Sequence, residues 1–96
     1  MAVRLVINIT AVPGKGAELA QAMKARCEVS QKDAGCEHFE VFQSALNPDR
    51  LVLLERWSSQ AALDAHGQLQ RARPPLPPGL RQGDGEREDY EYNRTR

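Results

Sequence analysis

Three side chains close together in the chain carry chemical potential: Glu55, Trp57 and His66. A carboxyl and an imidazole can exchange protons with a bound molecule, and an indole can stack on a flat ring and exclude water. Spacing decides whether they meet. In LVLLERW, Leu51 to Trp57, side chains two apart point the same way, so Leu51, Leu53, Glu55 and Trp57 share one face of a strand. Val52, Leu54 and Arg56 take the other face, and the apolar character of both marks a central strand covered twice. Ser58 or Ser59 then offers an oxygen to an orphan backbone N–H at a helix start, and Ala62, Leu63, His66 and Leu69 follow at helical spacing. A strand ending in Glu55 and Trp57 thus feeds a helix whose buried stripe carries His66. Acid, indole and imidazole fall around one potential pocket.

The bulk numbers bound what that pocket could serve. A chain of 96 residues reads as one domain, residues 1–96, and a domain this small buries only about 60 to 65 % of the surface its unfolded chain exposes. Formal net charge is zero, with acids and bases interspersed, so no basic field gathers nucleic acid or anionic lipid. No apolar run approaches the roughly 20 residues that cross a bilayer, and MAVRLVINIT lacks the apolar region and cleavage site of a secretory signal. The expectation is a soluble, cytoplasmic protein. Cys27 and Cys36 are the two cysteines, expected to stay reduced as buried thiols, since they form neither a CxxC pair nor a zinc spacing.

The elements that must position the three residues follow from periodicity. Val3 to Val12 alternates Val3, Leu5, Ile7, Ile9 and Ala11 against Arg4, Val6, Asn8 and Thr10, the two-residue period of a strand that Pro13 and Gly14 stop. From Gly16 the period turns helical through Leu19, Met23, Cys27 and Ser30, with Gly35 expected as a left-handed cap. A second strand, Cys36 to Ala45, holds Phe39 and Val41 opposite His38, Glu40 and Phe42. Asn47-Pro48-Asp49 is turn chemistry, joining it to the Leu51 strand as an antiparallel hairpin. After the His66 helix, four prolines in RARPPLPPGL forbid further helix or central strand, which leaves a stiff connector over 73–85. A polar last strand, 86–93, belongs at an edge where its charges stay wet.

The order is β-α-β-β-α-β. Right-handed crossovers then favour an α+β, ferredoxin-like fold, a four-stranded antiparallel sheet with two helices on one face. The other face, carrying Val6, Val52 and Leu54 or their alternates, is too apolar to stay wet and is expected to pair with a second copy as a homodimer.

The pieces ITAVPGKGAEL, GCEHFEVF, NPDR, LLERW and AALDAH, running in that order from Ile9 to His66, resemble the antibiotic biosynthesis monooxygenase superfamily of dimeric α+β barrels. That resemblance implies a homodimer, with a pocket between each subunit's sheet and helices. It also implies activities that range from cofactor-free oxygenation of polycyclic phenols or quinols to haem degradation, isomerisation and none proven. The chain departs from the family at Glu37, where an apolar residue is usual, and at Phe39, where Tyr is common, leaving Phe39 as an apolar substrate contact. Beyond His66, where family members continue the helix, stand Gly67 and then the prolines. The haem-degrading branch is disfavoured, because no histidine stands a helix length beyond His66 to ligate iron.

Oxygenation of a quinol without a cofactor requires a phenolate, since only the deprotonated ring readily gives an electron to triplet dioxygen. Moving a phenol's proton, pKa about 10, to an ordinary imidazole near 6.5 is uphill by roughly 5 kcal/mol, against roughly 8 kcal/mol for an ordinary glutamate. His66 is therefore the expected base. Glu55 would orient it or have its own pKa raised by burial, Asn8 would donate to the developing oxyanion, and Trp57 would be the ring platform. Each has a plainer reading: His66 and Trp57 as packing residues, Glu55 as an arginine's partner, Asn8 as a polar side chain near the barrel interior. His38 and Glu40 share a strand face, but two ligands make no metal site. Arg71 to Pro77 fits an RxxPxxP ligand motif, a match that arises often by chance in a proline-rich connector, and the favoured reading is a rigid linker closing the pocket's rim.

The function expected is a monooxygenase acting on aromatic polyketide-type phenols or quinols, with dioxygen, no cofactor and a small aromatic substrate. The alternatives are a non-catalytic binding or assembly barrel and an isomerase of the same fold.

Overall fold

The computed structural model describes residues 1–93. Four strands, β1 (Ala2–Thr10), β2 (Cys36–Gln43), β3 (Arg50–Trp57) and β4 (Glu86–Tyr92), and two helices, α1 (Gly16–Ser30) and α2 (Gln60–Ala72), alternate as β-α-β-β-α-β. The sheet order is β2-β3-β1-β4, with every pairing antiparallel. This is the ferredoxin-like α+β arrangement, and β3 is central as its two apolar faces required.

Register sets what the helices cover. Leu5 pairs with Glu55 and Glu55 with Phe39, so Phe39, Glu55 and Leu5 form one row across the sheet. A bulge between Cys36 and His38 adjusts β2 into that row. The alternate residues of β1 and β3 are buried beneath the helices: Val3, Leu5 and Ile9, and Leu51, Leu53, Glu55 and Trp57. From α1, Leu19, Met23 and Cys27 meet them, and from α2, Leu63 and His66. The opposite sheet face has no cover. It presents half-buried Val6, Val52 and Leu54 with exposed Phe42 and Tyr90.

Boundaries differ from periodicity at loop ends. β1 stops at Thr10, two residues short of Val12, because Ala11 leaves the ladder to form a bridge with Arg81. β2 stops at Gln43, short of Ala45, where the Ser44 hydroxyl takes the N–H groups of Leu46 and Asn47. α1 ends at Ser30, so Gly35 is not its cap. Gly35 instead closes the following turn at φ +81°, a left-handed backbone that glycine adopts without strain. Asp49, from the β2–β3 turn, accepts the Gly14 and Gly16 N–H groups and so caps α1 from a distance. Ser59 caps α2 locally through the N–H of Ala62.

The proline segment does not hang free. Leu76 packs on the core, Leu80 is buried, and backbone bonds join Val12 to Leu80 and Gln82 to Thr10. The return from α2 to β4 is thereby sewn to the end of β1. Among the described residues no helix is long and apolar enough to cross a membrane.

Candidate active site

Helix α2 lies across the sheet and leaves a cleft of about 720 Å³ between itself, β1, β3 and the proline segment. That volume falls in the range that holds small molecules, roughly 300 to 1,000 Å³. Its floor is Leu5, Ile7, Ile9, Leu53 and Phe39; Leu63 and Met23 form its walls, and Glu55 and His66 bring the polar atoms inward.

His66 is only 7 % exposed, and its ring is held on every side but one. Trp57 lies against it with ring centres 4.5 Å apart and a 32° tilt, and Phe39 closes from 5.3 Å. Its Nδ1 sits 2.7 Å from Asp33 Oδ2. Asp33 is in turn gripped by Arg73, whose Nη1 donates to Oδ2 at 2.9 Å and Nη2 to Oδ1 at 2.6 Å. That two-pronged bond, and next the bond from His66, outweigh the cost of burial and hold the Asp33 carboxyl below its usual range. Asp33 is thus ionised at neutral pH and accepts the Nδ1 proton. The lone pair of a neutral imidazole then falls on Nε2. Among the described residues every sealed polar side-chain atom has a partner, and His66 Nε2 has none, so Nε2 is the atom that opens into the cleft.

Glu55 and Trp57 settle differently from expectation. The indole N–H of Trp57 donates to Glu55 Oε1 at 2.8 Å, inside the core. Glu55 therefore neither orients His66 nor pairs with Arg26 or Arg56; Asp33 does the orienting. Flanked by Leu5 and Phe39 in the sheet row and 4 % exposed, its carboxyl is pushed up by burial, an effect the indole bond and nearby His66 oppose. Trp57 itself has no exposed surface and does not line the cleft. It backs the imidazole, so it is not a platform on which a bound ring could stack. Phe39, at the β2 end of the same row, does line the cleft and meets Trp57 edge-on at 6.2 Å.

Asn8 stands apart. Strand alternation puts it with Arg4, Val6 and Thr10 on the uncovered face, where it is exposed and faces Val52 across β1–β3. No hydrogen bond from Asn8 can reach a molecule lying beside His66 through the thickness of the sheet. His38, on that same face, is engaged by Arg4 at 2.9 Å and Glu40 at 3.1 Å.

A profile of the antibiotic biosynthesis monooxygenase family matches residues 2–73. The chain belongs to that family. Its fold is also similar to several solved structures. A Pseudomonas aeruginosa protein shares 24 % identity at a TM-score of 0.80, with 97 % of this chain and 95 % of that one covered. A Mycobacterium tuberculosis protein shares 20 % at 0.76, covering 99 % and 98 %. A Nitrosomonas europaea protein, provisionally assigned as an antibiotic biosynthesis monooxygenase, shares 19 % at 0.78, covering 93 % and 88 %. At such identities the likeness concerns fold. No curated protein matches the chain.

Within this antibiotic biosynthesis monooxygenase fold, Asp33 and Arg73 are the residues that reading the sequence did not single out. Asp33 lies in the turn after α1 and Arg73 at the C-cap of α2, 40 positions apart. The available signal was weak. An aspartate ahead of a glycine and an arginine ahead of prolines both look like ordinary turn and cap residues.

Proposed function

We propose that the chain is a cofactor-independent monooxygenase of aromatic phenols or quinols, with His66 as its base. The observation that carries this reading is the polarised imidazole: Nδ1 fixed by an ionised carboxylate, Nε2 opening into a cleft with an apolar floor. A phenol whose hydroxyl meets Nε2 gives up its proton to a base already oriented to take it. The charged pair formed is offset by Asp33, whose negative charge favours the protonated imidazole, as the aspartate does in a Ser-His-Asp triad. The phenolate passes an electron to dioxygen, the radicals combine at a ring carbon as a peroxide, and this takes back the proton held by His66 to become a hydroperoxide. Loss of that carbon's proton with cleavage of the O–O bond leaves a quinone carbonyl and water. One oxygen atom enters the product and the other leaves as water.

Phe39, Leu53 and Leu63 hold the ring and exclude solvent, so the charges develop in a low dielectric. Glu55 lines the same cleft. With its pKa raised, it keeps a proton to higher pH than an ordinary carboxyl and can donate a hydrogen bond to an oxygen on the ring. The same reading takes the molecule as a homodimer joined through the uncovered sheet face, supported by Val6, Val52, Leu54 and Phe42 there.

The test is oxygen uptake with a panel of anthrones and hydroquinones under air, with neither metal nor flavin added. Turnover that is lost in His66→Ala supports the reading. Absence of turnover, or turnover unchanged in that variant, rejects it. Saturable binding without turnover would move the chain to the class of binding barrels.

A further inference from the structure

The mouth of the cleft has an electrostatic character that oxygenation alone does not explain. Arg26 of α1, Arg71 of α2 and Arg81 of the proline segment all line the cleft, and all three also line an adjoining hollow of about 640 Å³ beneath the prolines. They stand where the cleft, apolar at its floor, adjoins that hollow. None of the three has a carboxylate partner among the described residues. Arg26 donates Nη2 to the Pro74 carbonyl at 2.9 Å, which aims its guanidinium without neutralising it. Arg71 swings back along α2 far enough that a Cβ on Gly67 would lie 3.7 Å from its Nη1.

The neighbouring cations that do have partners underline the contrast. Arg73 is spent on Asp33, and Arg87 on Asp89. The acids that line the cleft are Glu55, which accepts from the Trp57 indole, and Asp64, which accepts from the neutral Gln60 amide; neither forms an ion pair with the three arginines. Burial first, and then repulsion from Arg81 and Arg73, push the Arg26 pKa down. Like charges brought together without counterions disfavour the folded chain, so a feature that gathers them at a cleft mouth is explained by an anion that visits it.

We propose that the substrate is an aromatic acid, its ring on the apolar floor of the cleft beside His66 and its anionic substituent held at the cleft mouth by Arg26 and Arg81, with Arg71 beside them. This rests on the cleft being the substrate site, as read above. Planar guanidinium groups suit a carboxylate, which each can meet with two parallel N–H donors. Binding the anion at one end also fixes how deep the ring sits, and so which ring atom reaches Nε2.

The experiment compares 6-hydroxy-2-naphthoate with 2-naphthol, probes that share the ring and hydroxyl and differ in the carboxylate. Binding is measured by calorimetry under nitrogen, at low and high salt. Wild type should bind the acid about tenfold or more tightly than the phenol, with the difference shrinking as salt rises. Arg26→Gln and Arg81→Gln should each remove most of that preference and leave 2-naphthol affinity unchanged. Arg81 is exposed, so its variant keeps the fold, and unchanged 2-naphthol binding verifies this for both. Equal affinities in wild type, or a preference that survives in both variants, overturns the inference while the oxygenase reading stands. A preference that holds without oxygen uptake on any substrate would sink the oxygenase reading and leave the aromatic acid as ligand. Failure of both probes to bind overturns the cleft as the substrate site, and this inference with it.

Discussion

Asp33 Oδ2 and His66 Nδ1 lie 2.7 Å apart, joining the turn after the first helix to the buried face of the second. Arg73, at the end of that second helix, closes the arrangement by gripping the same carboxylate. An imidazole is thus locked in one orientation by two elements far apart in the chain. Removing the lock should separate positioning from packing. Asp33→Asn keeps the shape but not the charge, and leaves Arg73 with a neutral partner. Turnover should fall by at least about 10-fold, and by up to about 10⁴-fold if Asp33 acts as the aspartate of a Ser-His-Asp triad does. Stability should fall by about 1 to 3 kcal/mol, read from urea unfolding. Full activity in the Asp33→Asn protein would remove Asp33 from the mechanism.

The pH dependence of stability divides by sign. Asp33 titrates below its ordinary 3.8, so its stabilisation is fully present above that value and disappears as pH falls below it. Glu55 is the reverse. Its folded carboxyl titrates above the ordinary 4.5, so the folded state bears a cost that is absent below pH 4.5 and grows as pH rises through the folded pKa. Glu55→Gln preserves an oxygen for the Trp57 N–H and abolishes the charge. Guanidinium melts should place this variant above wild type at pH 7, with the difference closing by about pH 4.

Gly35 allows the Asp33 turn to approach α2. A Cβ there would meet Ala62 Cβ at 2.5 Å and Ser58 Oγ at 2.8 Å, on a backbone at φ +81°. Gly35→Ala should therefore cost about 1 to 3 kcal/mol and lift the turn from the helix. The chemical shift of the His66 ring in that variant should change along with the melting temperature. A variant with wild-type stability and spectrum would contradict the close approach.

The two thiols should differ in reactivity. Burial drives Cys27 up to about 11, and Cys36, half-buried at the start of β2, is raised by the same cause. At pH 8 only about one Cys27 in a thousand is thiolate. Iodoacetamide should modify Cys36 first in the native protein and reach Cys27 at a comparable rate only after unfolding, as peptide mapping would record.

On the uncovered face Val6 and Leu54 are direct partners across β1 and β3. A charge placed between them should oppose pairing of two sheets without touching the helix side. Leu54→Glu is expected to sediment as a monomer with far-ultraviolet dichroism unchanged. A wild type that sediments as a monomer would refute the homodimer outright.

Much of this was legible in the chain. Alternation along Val3 to Ile9 and Leu51 to Trp57, and helical spacing from Leu19 to Cys27 and Leu63 to His66, reflect contacts between near neighbours, so the strand and helix faces could be read directly. The same alternation gives Asn8 the parity of Val6 rather than Ile7, so the expectation that it would donate to an oxyanion beside His66 ran against the strand pattern itself. Trp57 was put on the correct face, but periodicity does not report depth. Packing beneath α2 sealed the indole behind His66 and turned its N–H toward Glu55.

The amino-acid sequence by itself determined the element order, the central place of β3 and the side of α2 on which His66 lies, because these depend on local period and on hydrophobic burial. Only the tertiary structure decided what surrounds His66. Asp33 and Arg73 meet across 40 positions of chain, and Arg26 gathers with Arg81 only once the proline segment is drawn back along β1. Such contacts arise from the closure of loops, and no spacing rule encodes which turn a closed loop brings beneath a helix.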